Sequence, residues 1–275
     1  MKYFSLLVAC ICFSNLILAQ EHATEITLQP GQKITIKSFD STALIQKQGD
    51  EENPMLTISE MTLSNEVLTT KENIYSIQQV LQKAKILFEG WGQKMDYDSE
   101  DKNKQSSPIA QQFKDKIGMS EEAKITTQGK FADKENNDSE KKQKGMMRMM
   151  SKMSGANLEN AFLLIPSEVV VGKGWKVDNS KDDIKSQVIY FLDELNGNIA
   201  KVSFKRKTKG VTVSEMNGMS MNTELDNMSE GDITVDITTG LVKTFNETTQ
   251  LKSITKMMDK EIPSSGVLVS RVIFE

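Results

Sequence analysis

The sequence predicts a mainly β, α+β fold in a single domain. Three observations carry that prediction. Apolar and polar residues alternate with a period of two through much of the chain, turn-forming residues separate the alternating stretches, and only a few segments show helical spacing instead. Half-polar strands of this kind suit an antiparallel sheet with one face packed and the other wet.

The first element is not part of that domain. Lys2 precedes a mostly apolar run over residues 6–18, interrupted by Ser14-Asn15 and followed by Ala19. This is the pattern of a secretory signal peptide cut between Ala19 and Gln20. The run is shorter than the roughly 20 residues that span a bilayer. Leu7-Val8-Ala9-Cys10 has the letters of a lipobox, but cleavage there would leave half the apolar run on the product. The expected domain is therefore residues 20–275, periplasmic or secreted, without a transmembrane segment after cleavage.

Cleavage removes both cysteines, Cys10 and Cys12, which excludes disulfides and thiolate chemistry in the mature chain. The single histidine, His22, lies at the mature terminus, so imidazole-dependent catalysis and zinc clusters have no material. The chain holds 34 Lys+Arg against 38 Asp+Glu, for a net charge of −4, which disfavours nucleic acid as a partner. No phosphate-cradling glycine loop, nucleophile elbow or dinucleotide fingerprint is present. No catalytic residue, metal ligand or cofactor is assigned, and a non-enzymatic monomer is expected.

The strands follow in order. Ile26 and Leu28 alternate with Thr27, Pro30-Gly31 turns the chain, and Ile34 and Ile36 resume the pattern. Leu56, Thr57 and Ile58 continue it. Residues 186–192 are rich in β-branched and aromatic side chains; Asn196-Gly197-Asn198 then marks a hairpin, because Asn and Gly tolerate positive φ. Residues 199–204 return. Asp232-Ile233-Thr234-Val235-Asp236-Ile237 alternates cleanly and Thr238-Thr239-Gly240 turns. The return over residues 241–245 is less regular: Leu241 and Phe245 share a face with Lys243, while Val242 points the other way. Residues 267–274 form a last strand.

Three segments depart from this pattern. Residues 108–117 read as a short helix, capped by Ser107, with Pro108 at its first position, a stripe of Ile109, Phe113 and Ile117, and Gly118 at its end. Residues 139–164 hold a second helical candidate, broken near Gly155 and ended by Pro166. Residues 73–88 fit both states: Ile74, Ile77, Leu81, Ala84 and Phe88 follow a helix, whereas Tyr75, Ile77, Leu81 and Leu87 share a strand face. Charged stretches at 99–106 and 133–144 read as exposed loops.

The methionines are the most unusual feature. Met146, Met149, Met150 and Met153 stand at i, i+3, i+4 and i+7, one face of a helix, with Met147 beside them. Packing, an adaptable apolar groove for a lipid or peptide, and Cu(I) ligation are all compatible with thioethers there. Met216, Met219, Met221 and Met228 form a second group, where loop or sheet packing is the simpler reading. Asp96-Tyr97-Asp98-Ser99-Glu100-Asp101 begins like a calcium loop, but Asp101 and Ser107 stand where the EF-hand needs Gly and Glu. An acidic turn is preferred to a weak cation site. In Pro166-Ser167-Glu168-Val169-Val170-Val171-Gly172-Lys173-Gly174-Trp175, the proline ends a helix, the valines form a short buried strand and the glycines turn the chain. Trp175 and Trp91 are core candidates, and Trp175 also a candidate ligand platform.

Asp96-Tyr97-Asp98-Ser99, the segment from Ile165-Pro166 to Trp175, and Gly231-Asp232-Ile233-Thr234-Val235-Asp236 followed by Thr239-Gly240-Leu241, in that order, resemble an uncharacterised family of secreted Bacteroidota envelope proteins. Lys173 departs from the acidic residue usual at its position. The resemblance implies a curved antiparallel sheet, similar to the half-barrels of periplasmic lipoprotein carriers. It would have roughly ten strands, with two or three helices packed on its concave face. It also implies strand over residues 73–98, and it assigns no activity. The expected function is binding of an apolar, lipid-like ligand in a groove bearing Met146, Met149, Met150, Met153 and Trp175. The alternatives are an envelope scaffold with a protein partner and no small ligand, and Met-based Cu(I) binding.

Overall fold

A computed structural model of the chain describes residues 22–104, 108–132, 157–181, 183–216, 219–257 and 260–275. Eleven strands account for most of them: β1 Lys33–Gln48, β2 Glu51–Lys71, β3 Ile74–Gly90, β4 Gln93–Asp98, β5 Ser120–Thr126, β6 Gly174–Lys181, β7 Ile184–Asn196, β8 Ile199–Met216, β9 Met219–Asp236, β10 Leu241–Met257 and β11 Lys260–Phe274. All pair antiparallel in one open sheet of order β4-β3-β2-β1-β11-β10-β9-β8-β7-β6, with β5 beside β4 on the same edge of β3. Each strand pairs with a sequence neighbour except β5, which pairs with β3, and at the centre β1 also meets β11.

Alternation along the strands gives the sheet two unlike faces. The inner face carries Ile34, Ile36, Tyr75, Ile77, Val188, Leu192, Ala200, Val202, Phe204, Ile233, Val235, Val242, Phe245, Val272 and Phe274, all buried except half-covered residues between them. Two stretches outside the strands lie over this end of the face. Ile26 and Leu28 come from one; Leu158, Ala161, Ile165 and Val169 come from the other. The outer face carries exposed ion pairs, including Lys201–Glu194 at 2.8 Å, Lys209–Asp226 at 2.7 Å and Lys256–Glu224 at 2.7 Å. Such pairs contribute little each, about 0–1 kcal/mol, so burial on the inner face dominates stability.

The expected two or three packed helices are overturned. Among the described residues, regular helix is limited to the six-residue α1, Pro108–Phe113, and two 3-10 turns at Lys102–Lys104 and Leu158–Ala161. Residues 114–117, expected to continue α1, form turns that end at Gly118, where φ is +80°. Most of the helical candidate at 139–164 falls outside the described residues.

Residues 73–88 are β3, and their helix-like spacing has a cause. Opposite β2, Leu63 pairs with Leu81 but Thr62 pairs with Lys83, which leaves Gln82 as an extra residue. A bulge of one residue reverses which parity faces the core. Tyr75, Ile77 and Leu81 face inward before it, and Ala84, Ile86 and Phe88 after it. The sum of the two parities imitates a 3.6-residue period.

Two smaller expectations are also corrected. Ile26 and Leu28 are buried but do not belong to a strand. Ile26 N–H donates to the Thr127 carbonyl at 2.7 Å, and the Tyr75 hydroxyl donates to the Ile26 carbonyl at 2.7 Å. The three valines are not a buried strand: Val169 is covered, but Val170 and Val171 are 59% and 51% exposed in a turn.

Candidate functional site

The inner face, followed along the strands away from its covered end, changes character row by row. The last apolar row is aromatic. Trp175 on β6 stacks on Tyr190 of β7 with ring centroids 5.0 Å apart; Tyr190 meets Phe204 of β8 at 6.1 Å, and Phe204 stacks on Phe245 of β10 at 5.6 Å. Between the last two stands Gly231 of β9, in register with Phe204. A Cβ there would lie 2.9 Å from the Phe204 ring and collide with the Asn246 carbonyl, so only glycine lets the rings meet across β9. Burial pushes the Tyr190 phenol above its ordinary pKa.

The next row is polar. The Arg206 guanidinium lies 5.3 Å from the Phe204 ring centroid and pairs with the Glu247 carboxylate at 3.1 Å. The Ser270 hydroxyl donates to Asp40 Oδ1 at 2.5 Å, and Ser229 and Thr249 share a hydrogen bond of 2.8 Å. Ser59, Thr42 and Thr249 are buried, and Ser186 bonds Thr208 at 3.2 Å. Ser38, 6% exposed and level with Val272 and Phe245, is a buried hydroxyl whose oxygen has no hydrogen-bond partner among the described residues. Beyond this hydroxyl band runs a half-covered apolar row, Leu251, Leu44 and Met55, on β10, β1 and β2. Gly266 of β11 sits in that row opposite Leu44 and Leu251. Past it come Leu225, Ser253 and Ser264, level with one another on β9, β10 and β11, and then Thr223 and Thr255, bonded at 3.0 Å.

A second apolar cluster occupies the same face at the other edge. Ala84, Ile86 and Phe88 of β3 and Tyr97 of β4 bury Ala110 and Phe113 of α1, the Tyr97 and Phe113 rings stacking at 5.7 Å.

Charge is scarce on this face. Arg206 and Glu247, with Asp40, are the charged side chains in its middle among the described residues, whereas the lysines of β8 at 201, 205, 207 and 209 all take the opposite parity. Among the described residues no group of three or more His, Cys, Asp or Glu side chains converges as a metal ion would require. The acidic stretch after β4 is a turn: Asp98 Oδ1 accepts from Glu100 N–H at 2.9 Å, and Asp96 pairs with Lys104 at 2.6 Å.

Of the residues singled out in the sequence, Trp175 stands at the end of the aromatic row on the edge strand, packed against the main core. Met146, Met149, Met150 and Met153 lie outside the described residues. In the second methionine group, the β8–β9 register pairs Met216 with Met219, Met221 faces inward, and Met228 is 48% exposed on the outer face. Trp91 is no core residue; it is 54% exposed at a tight turn, with φ +49°. The residues that sequence reasoning missed are Arg206, Glu247, Asp40 and Ser270. Arg206 left a signal, as the one cation of inward parity in a strand whose lysines all face outward.

This arrangement defines a class: an open, single-sheet β protein whose inner face is apolar at one end and hydroxyl-rich at its middle. The chain belongs to a family of unknown function (DUF6263), whose model matches residues 72–242, more than half of the sequence. All three stretches that carried the sequence resemblance fall inside that match. Among curated proteins no sequence matches the chain.

A solved structure described as "lipid-protein interactions in lipovitellin" is similar in fold, with a TM-score of 0.52 at 11% identity, over 90% of this chain and 25% of that one. The chain thus spans about a quarter of the length of that protein. The COG4313 outer membrane channel from Pseudomonas putida F1 matches at a TM-score of 0.24 and 7% identity, over 93% of this chain and 99% of that one. Among the described residues no helix is long and apolar enough to cross a membrane.

Proposed function

We propose that this is an exported, non-enzymatic binding protein that holds an apolar-tailed, lipid-like ligand against the inner face of its sheet. The observation that carries the reading is the division of the two faces. Lysine, glutamate and their ion pairs occupy the outer face, while the inner face keeps a half-covered Leu/Met row, nearly free of charge, beyond its core. A charge-poor, partly covered surface with few polar anchors is what small-molecule sites offer. The fold likeness to lipovitellin, whose structure is described by its lipid–protein interactions, supports the same reading. Export rests on the signal-like residues 1–19.

The test is direct. Residues 20–275, purified from an exporting host, are extracted with organic solvent, and the extract is analysed by mass spectrometry; an apolar fluorescent dye is titrated in parallel. A stoichiometric lipid and a saturable dye response displaced by that lipid are expected. A lipid-free extract together with a flat titration would remove the proposal.

A scaffold role has one observation of its own. On the outer face Phe39, Ile45, Val267 and Ile273 are 37–48% exposed on the central strands β1 and β11. Apolar side chains amid ion pairs are the composition of a protein-contact surface. Capture of a defined envelope protein by the lipid-free chain is the outcome that would favour it.

A further inference from the structure

We propose that the outer face of β2, β1 and β11 is an interface between two copies of this chain, whose sheets pack face to face about a two-fold axis running along β1. The proposal goes beyond the ligand reading, which concerns the opposite face. It names an occupant for the outer-face contact surface and replaces the monomer expected from the sequence.

The register gathers an uncharged apolar field at the centre of that face. From β3 to β10 one outward row is Leu87, Ile58, Ser41, Val269 and Thr248. The next, from β2 to β10, is Leu56, Ala43, Val267 and Gln250. No charged side chain interrupts either row, although ion pairs occupy the outer face of β8, β9 and β10. Phe39 and Ile45 extend the field along β1, and with Val267 they are 37–42% exposed. Sheet faces of this composition are commonly covered by a second sheet about 10 Å away. From Ile273 to Ile45, and from β3 to β10, the field measures about 27 by 24 Å; with its projecting side chains it approaches the roughly 800 Å² that each partner buries in a standard interface.

The pattern about β1 points to a second copy as the partner. Ile58 and Val269 flank Ser41, and Leu56 and Val267 flank Ala43. Half a turn about β1 therefore lays Ile58 over Val269 of the second copy and Leu56 over its Val267. In the row of Phe39 the flanking residues carry opposite charges, Glu60 on β2 and Arg271 on β11. The same rotation lays Glu60 over Arg271 of the second copy, and does so twice. Within its own chain Arg271 is exposed and has no ion pair among the described residues, while Glu60 has only Lys85, at 3.8 Å. An isologous interface needs one patch to complement itself, apolar against apolar and cation against anion. Facing sheets cross at about 30°, which displaces residues this close to the axis by no more than an Arg or Glu side chain can span.

The test is the association of residues 20–275 at neutral pH, followed by sedimentation velocity between about 1 and 100 µM. A dimer that dissociates on dilution is expected. Arg271→Glu and Glu60→Arg each set like charges face to face at both ends of the row, and each is expected to weaken the dimer at least about tenfold. Combining them exchanges the two charges, and the double variant is expected to recover to within about threefold of the parent. A thermal melt of each variant controls for folding. A chain that stays monomeric throughout would overturn the proposal. So would a dimer indifferent to the single reversals, or one that the double variant does not restore. None of these results touches the ligand reading. A monomeric chain that captures an envelope protein would keep the contact surface and remove the second copy from it.

Discussion

At the scale of single residues, Gly231 shows how a missing side chain builds a site. It lies between Phe204 and Phe245, and the Asn246 carbonyl of β10 closes in from the other strand. Gly231→Ala would force a methyl group into the Asn246 backbone and the Phe204 ring at once. Backbone on one side cannot rotate away, so β9 and β10 must separate. Overpacking of this kind costs about 1–3 kcal/mol, and the upper end is expected here. The denaturation midpoint of the variant measures it, and a midpoint equal to the parent's would contradict the close approach. The converse holds at the polar row. Arg206 was legible in the sequence only through its parity, because composition groups it with the outward lysines that flank it. Glu247 and Asp40 carried no local signal at all: their meaning depends on Arg206 and Ser270, and Ser270 is 230 positions from Asp40.

At the scale of elements, parity decides both what folds and what could be read. The hairpin at Asn196-Gly197 and the turn at Thr238–Gly240 were legible because their chemistry is local. Asp236 Oδ1 accepts from both Thr238 N–H, at 2.9 Å, and Thr238 Oγ1, at 2.6 Å, and Gly240 supplies φ +72°. Strand β10 looked irregular because Val242 and Phe245 are both buried although their parity differs; its register against β9 shifts between Val242 and Ser253. Strand β3 looked helical for the same reason, the extra residue at Gln82. The bulge makes a sharp prediction. Ile86 is fully buried on the inner face and Lys85 exposed on the outer one. Ile86→Ala is expected to cost about 3 kcal/mol, and Lys85→Ala no more than about 0.5 kcal/mol. A helix over residues 73–88 would keep Ala84 and Phe88 on its buried face and turn Ile86 to the opposite, exposed one. Comparable losses for the two variants in chemical denaturation would therefore contradict the bulged strand.

At the scale of the whole molecule, the sheet is two meanders held by one seam. Strands β1–β4 and β6–β11 each grow by neighbour pairing, β5 adds to β3 beside β4, and β1·β11 is the pairing that joins the two halves, from Ile36–Phe274 to Gln46–Ser264. Contacts this distant in sequence form late, because loop-closure entropy must be met before they stabilise anything. The seam also carries the site: Ser270 and Asp40 meet across it, and the apolar row passes over Gly266 on its way from Leu251 to Leu44. Ending the chain at Val267 would delete Leu268, Ser270, Val272 and Phe274, all buried on the inner face, and expose the edges of β1 and β10. Three buried apolar side chains at about 2 kcal/mol each amount to roughly 6 kcal/mol, comparable with the net stability of about 5–15 kcal/mol that a domain commands. The truncated chain is expected to lose cooperative unfolding altogether, in thermal or denaturant melts. Glu275→Ala, which breaks only the exposed Lys37 pair at 2.6 Å, is expected to shift stability by less than about 0.5 kcal/mol. A cooperative transition retained by the chain ending at Val267 would show that the two meanders stand without their seam. The site spread across it would then need another support.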